Sequence, residues 1–191
     1  MSSPGTGDPT RRAEYLGRLR ARTPERSPPA RLLPWIEDPG SLTERMRKVC
    51  GADFRLELLR QQYARPLKPE AFALALPPRR YALVREVLLC RRGTPWIFAR
   101  SVLPLPTLQG ANRRIAHLGI RPLGDILFSS SDLLRGEIKI SPLHADLPLF
   151  GICANALGRE PVGSWLRQSL FRIHKEPLLV SEVFLPEIDT E

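Results

Sequence analysis

This sequence is poor in the groups that most visible chemistries require. It has three cysteines, Cys50, Cys90 and Cys153, an odd and widely spaced set. They make neither a metal-type pair nor the even framework of a disulfide-stapled secreted domain, so a reducing compartment is expected. His117, His144 and His174 are scattered, without a carboxylate or cysteine at ligand spacing, so no metal site is expected. A glycine-rich phosphate loop, a nucleophile elbow and a dinucleotide fingerprint are all missing. Ser129-Ser130-Ser131 reads as a turn beside Asp132, not as a nucleophile. No apolar run approaches the length needed to cross a bilayer, and the N-terminus lacks the apolar core of a secretory signal. Chemistry left to such a chain rests on positioning and on a few charges.

Proline and arginine are what the sequence has in quantity. The 191 residues include 20 prolines, mostly at segment edges, which favours short strands and tight connections. The length suits one domain with a sizeable core. The net charge of +9 is compatible with nucleic acid, an anionic membrane surface or an anionic small substrate. Residues 1–31 carry seven arginines against Asp8, Glu14 and Glu25, so they hold +4 and the remaining chain +5. We read 1–31 as a basic, mostly disordered tail with a short helix around 11–22, and 32–191 as the folded domain. The clustered aromatic and basic residues of a single-strand binder are missing, which argues against nucleic acid as partner.

Along the domain, Ser41 and Glu44 have capping-box spacing, and Leu42, Met46 and Val49 mark one stripe of a helix over 42–50. Residues 54–63 form a strand candidate. YALVREVLLC (81–90) and WIFARSVL (96–103) flank a glycine-containing turn and read as a β-hairpin. Helical turns are expected at 111–118 and 122–128, and strands at 137–140, 170–173 and 178–185. The class is α+β with an antiparallel sheet.

Two charges interrupt these strands. Alternation puts Arg85 on the face of Leu83, Val87 and Leu89, and Glu182 on the face of Leu178, Val180 and Phe184. If those faces are buried, the two could pair with each other or converge on a polar ligand. If they face water, both are merely solvated. Glu86, beside Val84 and Leu88 on the other face, implies that one of these neighbours is less buried than it looks.

Four segments together resemble the bacterial chorismate pyruvate-lyase family: IEDPGSLTERM (36–46), YALVREVLLCRRGTPWIFARSVLP (81–104), LGIRPLGDILF (118–128) and KEPLLVSEVFLP (175–186). Their order and spacing match over roughly residues 32–187. The resemblance implies an antiparallel-sheet domain with a closed, largely apolar ligand cavity under helical flaps. It implies a cofactor-independent, cytoplasmic and monomeric lyase that converts chorismate to 4-hydroxybenzoate and pyruvate for ubiquinone synthesis. The family's ligand-binding arginine falls on Arg85 and its glutamate on Glu182, the two residues then expected to be catalytic. Two substrate-binding main-chain N–H groups fall on Leu42, where the usual residue is methionine, and on Leu123. Residues 141–163 look longer than the usual connection, so the second flap and substrate access are expected to differ. The alternative is a non-catalytic effector-binding module of the same fold, as in a class of bacterial transcription regulators. Those carry a winged-helix domain upstream, where this chain has only about 31 irregular residues.

Overall fold

Ala82–Arg91 and Thr94–Pro104 form the central hairpin, strands β2 and β3. Its two-residue turn, Arg92-Gly93, has positive φ at both positions (49° and 78°), as the primed turns that match strand twist require. In the computed structural model, which describes residues 27–188, this hairpin lies inside a six-stranded, wholly antiparallel sheet. The other strands are β1 (Phe54–Ala64), β4 (Leu134–Pro142), β5 (Trp165–Ile173) and β6 (Glu176–Phe184). The order across the sheet is β1-β2-β3-β6-β5-β4. The tail expected over residues 1–31 lies outside the described residues as far as residue 26, as does the helix expected around 11–22.

Both faces of the sheet are covered, so a strand can bury side chains on either side. On one face lie α1 (Leu33–Ile36) and α2 (Leu42–Cys50), whose Trp35, Ile36, Leu42 and Met46 pack on Val87, Leu89, Ile97 and Phe184. Beside them a 3-10 segment, Gly110–His117, and the short helix α4 (Leu123–Leu127) pack Ile115, Leu118, Leu123 and Leu127 on Leu83, Leu103, Phe171 and Val180. The opposite face carries α3 (Lys68–Ala73), whose end packs Ala73 and Leu74 beside Ala82 and Val102. There too lies α5 (Pro148–Leu157), whose Leu149 and Cys153 meet Leu88, Phe98 and Val183.

Two expectations are corrected here. Arg85 and Glu86 point to opposite faces, yet both are buried, at 3% and 6% exposure. Neither is less buried than it looks, because each face has its own covering layer. Residues 141–163 are not part of a flap: they hold the end of β4 and all of α5, which covers the face away from the flaps. Pro148 at its start and Gly158 in the left-handed region at its end (φ 66°) delimit this helix.

Both edge strands carry a bulge. The β1–β2 register shifts between Leu58 and Arg60, and the β4–β5 register shifts between Arg135 and Ile138. A bulge turns the residues beyond it to the other face.

Candidate active site

Residues 37–50, the first flap, and 110–128, the second, cover with the sheet a pocket whose space counted out to its open mouth is about 600 Å³. Its wall is mostly apolar: Leu56, Val87, Leu89, Ala99, Leu127, Phe128, Phe171 and Val180. Charge enters it at three side chains: Arg85 from β2, Glu182 from β6 and Arg135 from β4.

Arg85 and Glu182 do not pair with each other. Arg85 donates from Nη1 to Gln61 Oε1 (2.7 Å) and to the Gly119 carbonyl (2.6 Å), and from Nη2 to the Arg121 carbonyl (2.9 Å). Those bonds use three of the five guanidinium N–H groups, and every acceptor is neutral. Burial lowers the pKa of Arg85, and no carboxylate among the described residues forms an ion pair with it. A buried cation surrounded only by neutral acceptors is electrostatically incomplete, and an anionic ligand completes it. Gln61 reaches the same face through the β1 bulge. Its Nε2 donates to the Ala116 carbonyl (2.9 Å), so Gln61 and Arg85 together fasten the second flap.

Glu182 has an arginine of its own. Arg167 on β5, 1% exposed, donates from Nε to Glu182 Oε2 at 2.6 Å. The same guanidinium reaches over to the first flap, where Nη1 donates to the Asp38 carbonyl (2.9 Å). Among the described residues the second oxygen, Oε1, has no hydrogen-bond partner, which leaves it for a ligand. Arg167 is absent from the residues expected in the site. Its alternation with Trp165, Ser169 and Phe171 is a usable signal, but the expected strand covers only 170–173. The β5–β6 turn, His174-Lys175, has positive φ at both positions without a glycine to mark it (50° and 70°).

Arg135 is also absent from that expectation, for a clearer reason. Simple alternation separates it from Ile138 and Ile140. The bulge restores it to their face, opposite Phe171, while Ile138 lies opposite Ser169 and Ile140 opposite Arg167. Its guanidinium donates from Nε and Nη2 to Ser169 Oγ (3.1 and 2.8 Å) and from Nη1 to the Pro39 carbonyl (2.7 Å). Burial lowers its pKa and neighbouring Arg167 adds to that, against the opposing pull of Glu182 and Asp38.

Leu42 and Leu123 both line the pocket, each as the first residue of its helix, α2 and α4. First-turn N–H groups have no intrahelical acceptor. In α2 the Ser41 hydroxyl takes the Glu44 N–H (3.3 Å), fixing where the helix starts. The flap tips touch here: a Cβ on Gly124 would stand 2.9 Å from Ser41 Oγ. Outside, Arg47 holds both oxygens of Asp125 (2.9 and 3.0 Å), latching one flap to the other.

The loop before α2 is itself charged. Burial works against ionisation of Asp38, but the Gly40 N–H, Arg45 and Arg167 outweigh it and hold the carboxyl below its ordinary range. The cysteines take no part in the pocket. All three are buried, and burial raises their thiols, Cys90 and Cys153 up to about 12. Among the described residues no group of His, Cys, Asp and Glu is arranged to hold a metal ion, and no helix is long and apolar enough to cross a membrane. Ser129 and Ser130 hydrogen-bond within their own turn, to the Ile126 carbonyl and from the Asp132 N–H.

Residues 20–191 match the family described as chorismate lyase. A protein of Methylococcus capsulatus named probable chorismate pyruvate-lyase is 45% identical, over 81% of this chain and 94% of its own length. A protein of the same name from Aromatoleum aromaticum is 43% identical, over 87% and 91%. In shape the chain is similar to the effector domain of PhnF from Mycobacterium smegmatis, with TM-score 0.51 over 86% of this chain and 94% of that one. At 15% identity that likeness concerns the fold alone.

Proposed function

The chain belongs to the chorismate lyase family, and on that premise we propose that it converts chorismate to 4-hydroxybenzoate and pyruvate without a cofactor. The observation that carries this reading is the polar layout of the pocket: a carboxylate-free buried Arg85 and a Glu182 with one oxygen to spare, set in an apolar slot. Such a slot suits a flat ring with an anionic group at one end and a hydroxyl at the other.

The reaction needs nothing from outside the substrate. The C3–O ether bond breaks, the C4 hydrogen ends on the enolpyruvyl methylene, and the ring becomes aromatic as pyruvate leaves. The protein's part is to hold the enolpyruvyl arm over the ring and to stabilise the charge that develops on the departing enolpyruvate. In our reading Arg85 binds the ring carboxylate, with the Leu123 N–H beside it. Glu182 accepts a hydrogen bond from the C4 hydroxyl through Oε1, and Arg167 holds the carboxylate in place through its bond to Oε2. The Leu42 N–H serves the same end of the ligand as Glu182. The flaps over the pocket reduce its exposure to water, which strengthens each of these contacts. We take the enzyme to act as a cytoplasmic monomer whose product supplies the ubiquinone ring.

The test is direct. Purified protein incubated with chorismate is expected to release 4-hydroxybenzoate and pyruvate in equal amounts over many turnovers. Tight binding of chorismate without products would make the chain an effector-binding module instead, and no binding at all would sink both readings.

A further inference from the structure

Arg135 is not used by that assignment, although it lines the same pocket. It is half-buried, its three hydrogen bonds go to a hydroxyl and a main-chain carbonyl, and no carboxylate among the described residues pairs with it. Two N–H groups of its guanidinium remain for a ligand. The β4 bulge is what turns it inward, and bulges at sheet edges commonly re-aim a side chain toward a site.

The order of charges across the sheet is informative. Arg85 on β2 and Glu182 on β6 are separated by β3, roughly 10 Å at the backbone, and Arg135 on β4 lies a further two strands beyond Glu182. The pocket therefore reads cation, carboxylate, cation from one side to the other. Chorismate has the complementary order. Its ring carboxylate is para to the C4 hydroxyl, and the enolpyruvyl arm with the second carboxylate leaves from C3, next to that hydroxyl.

We propose that Arg135 binds the enolpyruvyl carboxylate of the substrate, and so distinguishes substrate from the 4-hydroxybenzoate product. This rests on the lyase reading above and deepens it. The product keeps the ring carboxylate and the hydroxyl but has lost the third group. Arg135 thus adds affinity only while the pyruvyl arm is attached, and its contact departs with pyruvate. A guanidinium at that carboxylate also holds the arm on the side of the ring where the C4 hydrogen must be delivered.

The experiment compares two ligands on Arg135→Gln and Arg135→Lys. In the glutamine variant the chorismate KM is expected to rise by between about 10- and 100-fold, the range for losing a charged hydrogen bond. The inhibition constant of 4-hydroxybenzoate should stay within about threefold, since that ligand keeps all its other contacts. The lysine variant should recover part of the chorismate affinity, because it restores the charge without the planar fork. If KM and the product constant worsen together, Arg135 merely fastens the first flap through Pro39 and the proposal is wrong. An unchanged KM overturns it as well. A wild-type protein without turnover would defeat the lyase reading separately, and direct binding of both ligands to the same variants would still decide on Arg135.

Discussion

Consecutive residues of β2 lead to two different buried arginine clusters. On the face away from the flaps, Glu86 meets Arg100, which also grips Glu70: Nε to Oε1 at 2.6 Å and Nη2 to Oε2 at 3.0 Å. Glu70 in turn caps α3 by accepting the Leu67 N–H (2.8 Å). Burial opposes the charge of Arg100, but Glu70 and Glu86 outweigh it and raise its pKa. On the pocket face, Arg85 and Arg135 have only neutral acceptors, and burial lowers both. The first cluster is closed, with two carboxylates for one cation. The second is short of negative charge, with Arg85, Arg135 and Arg167 facing Glu182. A network complete within the protein ties α3 to the sheet, whereas an incomplete one in a cavity is where the charge of a ligand would be met.

The contrast can be broken most sharply at Arg100. Arg100→Leu leaves two buried carboxylates facing each other, and we expect a loss of about 3–5 kcal/mol in urea denaturation. A loss below about 1 kcal/mol would mean that this cluster is no more structural than the pocket.

Arg85→Ala should do the reverse. Its kcat/KM for chorismate is expected to fall by about 10- to 100-fold, the scale for losing a charged hydrogen bond to the ring carboxylate. Its stability should suffer less than that of Arg100→Leu, since no carboxylate is orphaned. A variant that unfolds readily but turns over normally when folded would reverse the assignment.

Glu182→Gln keeps shape and an oxygen for Arg167 while removing the charge. A drop of about 10- to 100-fold in kcat is expected, from the loss of one charged hydrogen bond to the ligand. Steady-state kinetics with unchanged kcat would leave Glu182 as no more than a partner of Arg167.

The smallest effect concerns pH. Asp38 has a folded pKa below its ordinary 3.8, so its contribution to stability is fully present above that value. That contribution is lost as pH falls through the lower folded value. Wild type should exceed Asp38→Asn in stability by a constant amount near neutrality, and the gap should close below about pH 4. A gap independent of pH would mean that the Asp38 carboxylate does not hold the first flap by its charge.

Much of the scaffold is legible in the chain. The helix at 42–50 follows from its cap and stripe and is found as Leu42–Cys50, and the hairpin expected at 81–90 and 96–103 is found as Ala82–Arg91 and Thr94–Pro104. Periodicity places Arg85 and Glu182 correctly on their strands, because neither strand has a bulge between the charge and its apolar neighbours. What periodicity could not say is whether those faces are wet. Burial is a property of the covering layers, and these come from segments distant in sequence: residues 37–50 and 110–128 on one side, α3 and α5 on the other.

The residues that complete the pocket mark the same limit. Arg135 reaches the pocket, and Gln61 the face on which it binds Arg85, only through register shifts in the two edge strands, and such shifts are set by pairing with β2 and β5 rather than by local pattern. The pairing of Glu182 with Arg167 likewise comes from β5 lying beside β6. The sequence by itself determined the central hairpin, the last strand, the helix at 42–50 and the charges available. Only the tertiary structure decided which charges are neutralised within the protein and which are left for a ligand, since that depends on the few ångströms separating side chains from different strands.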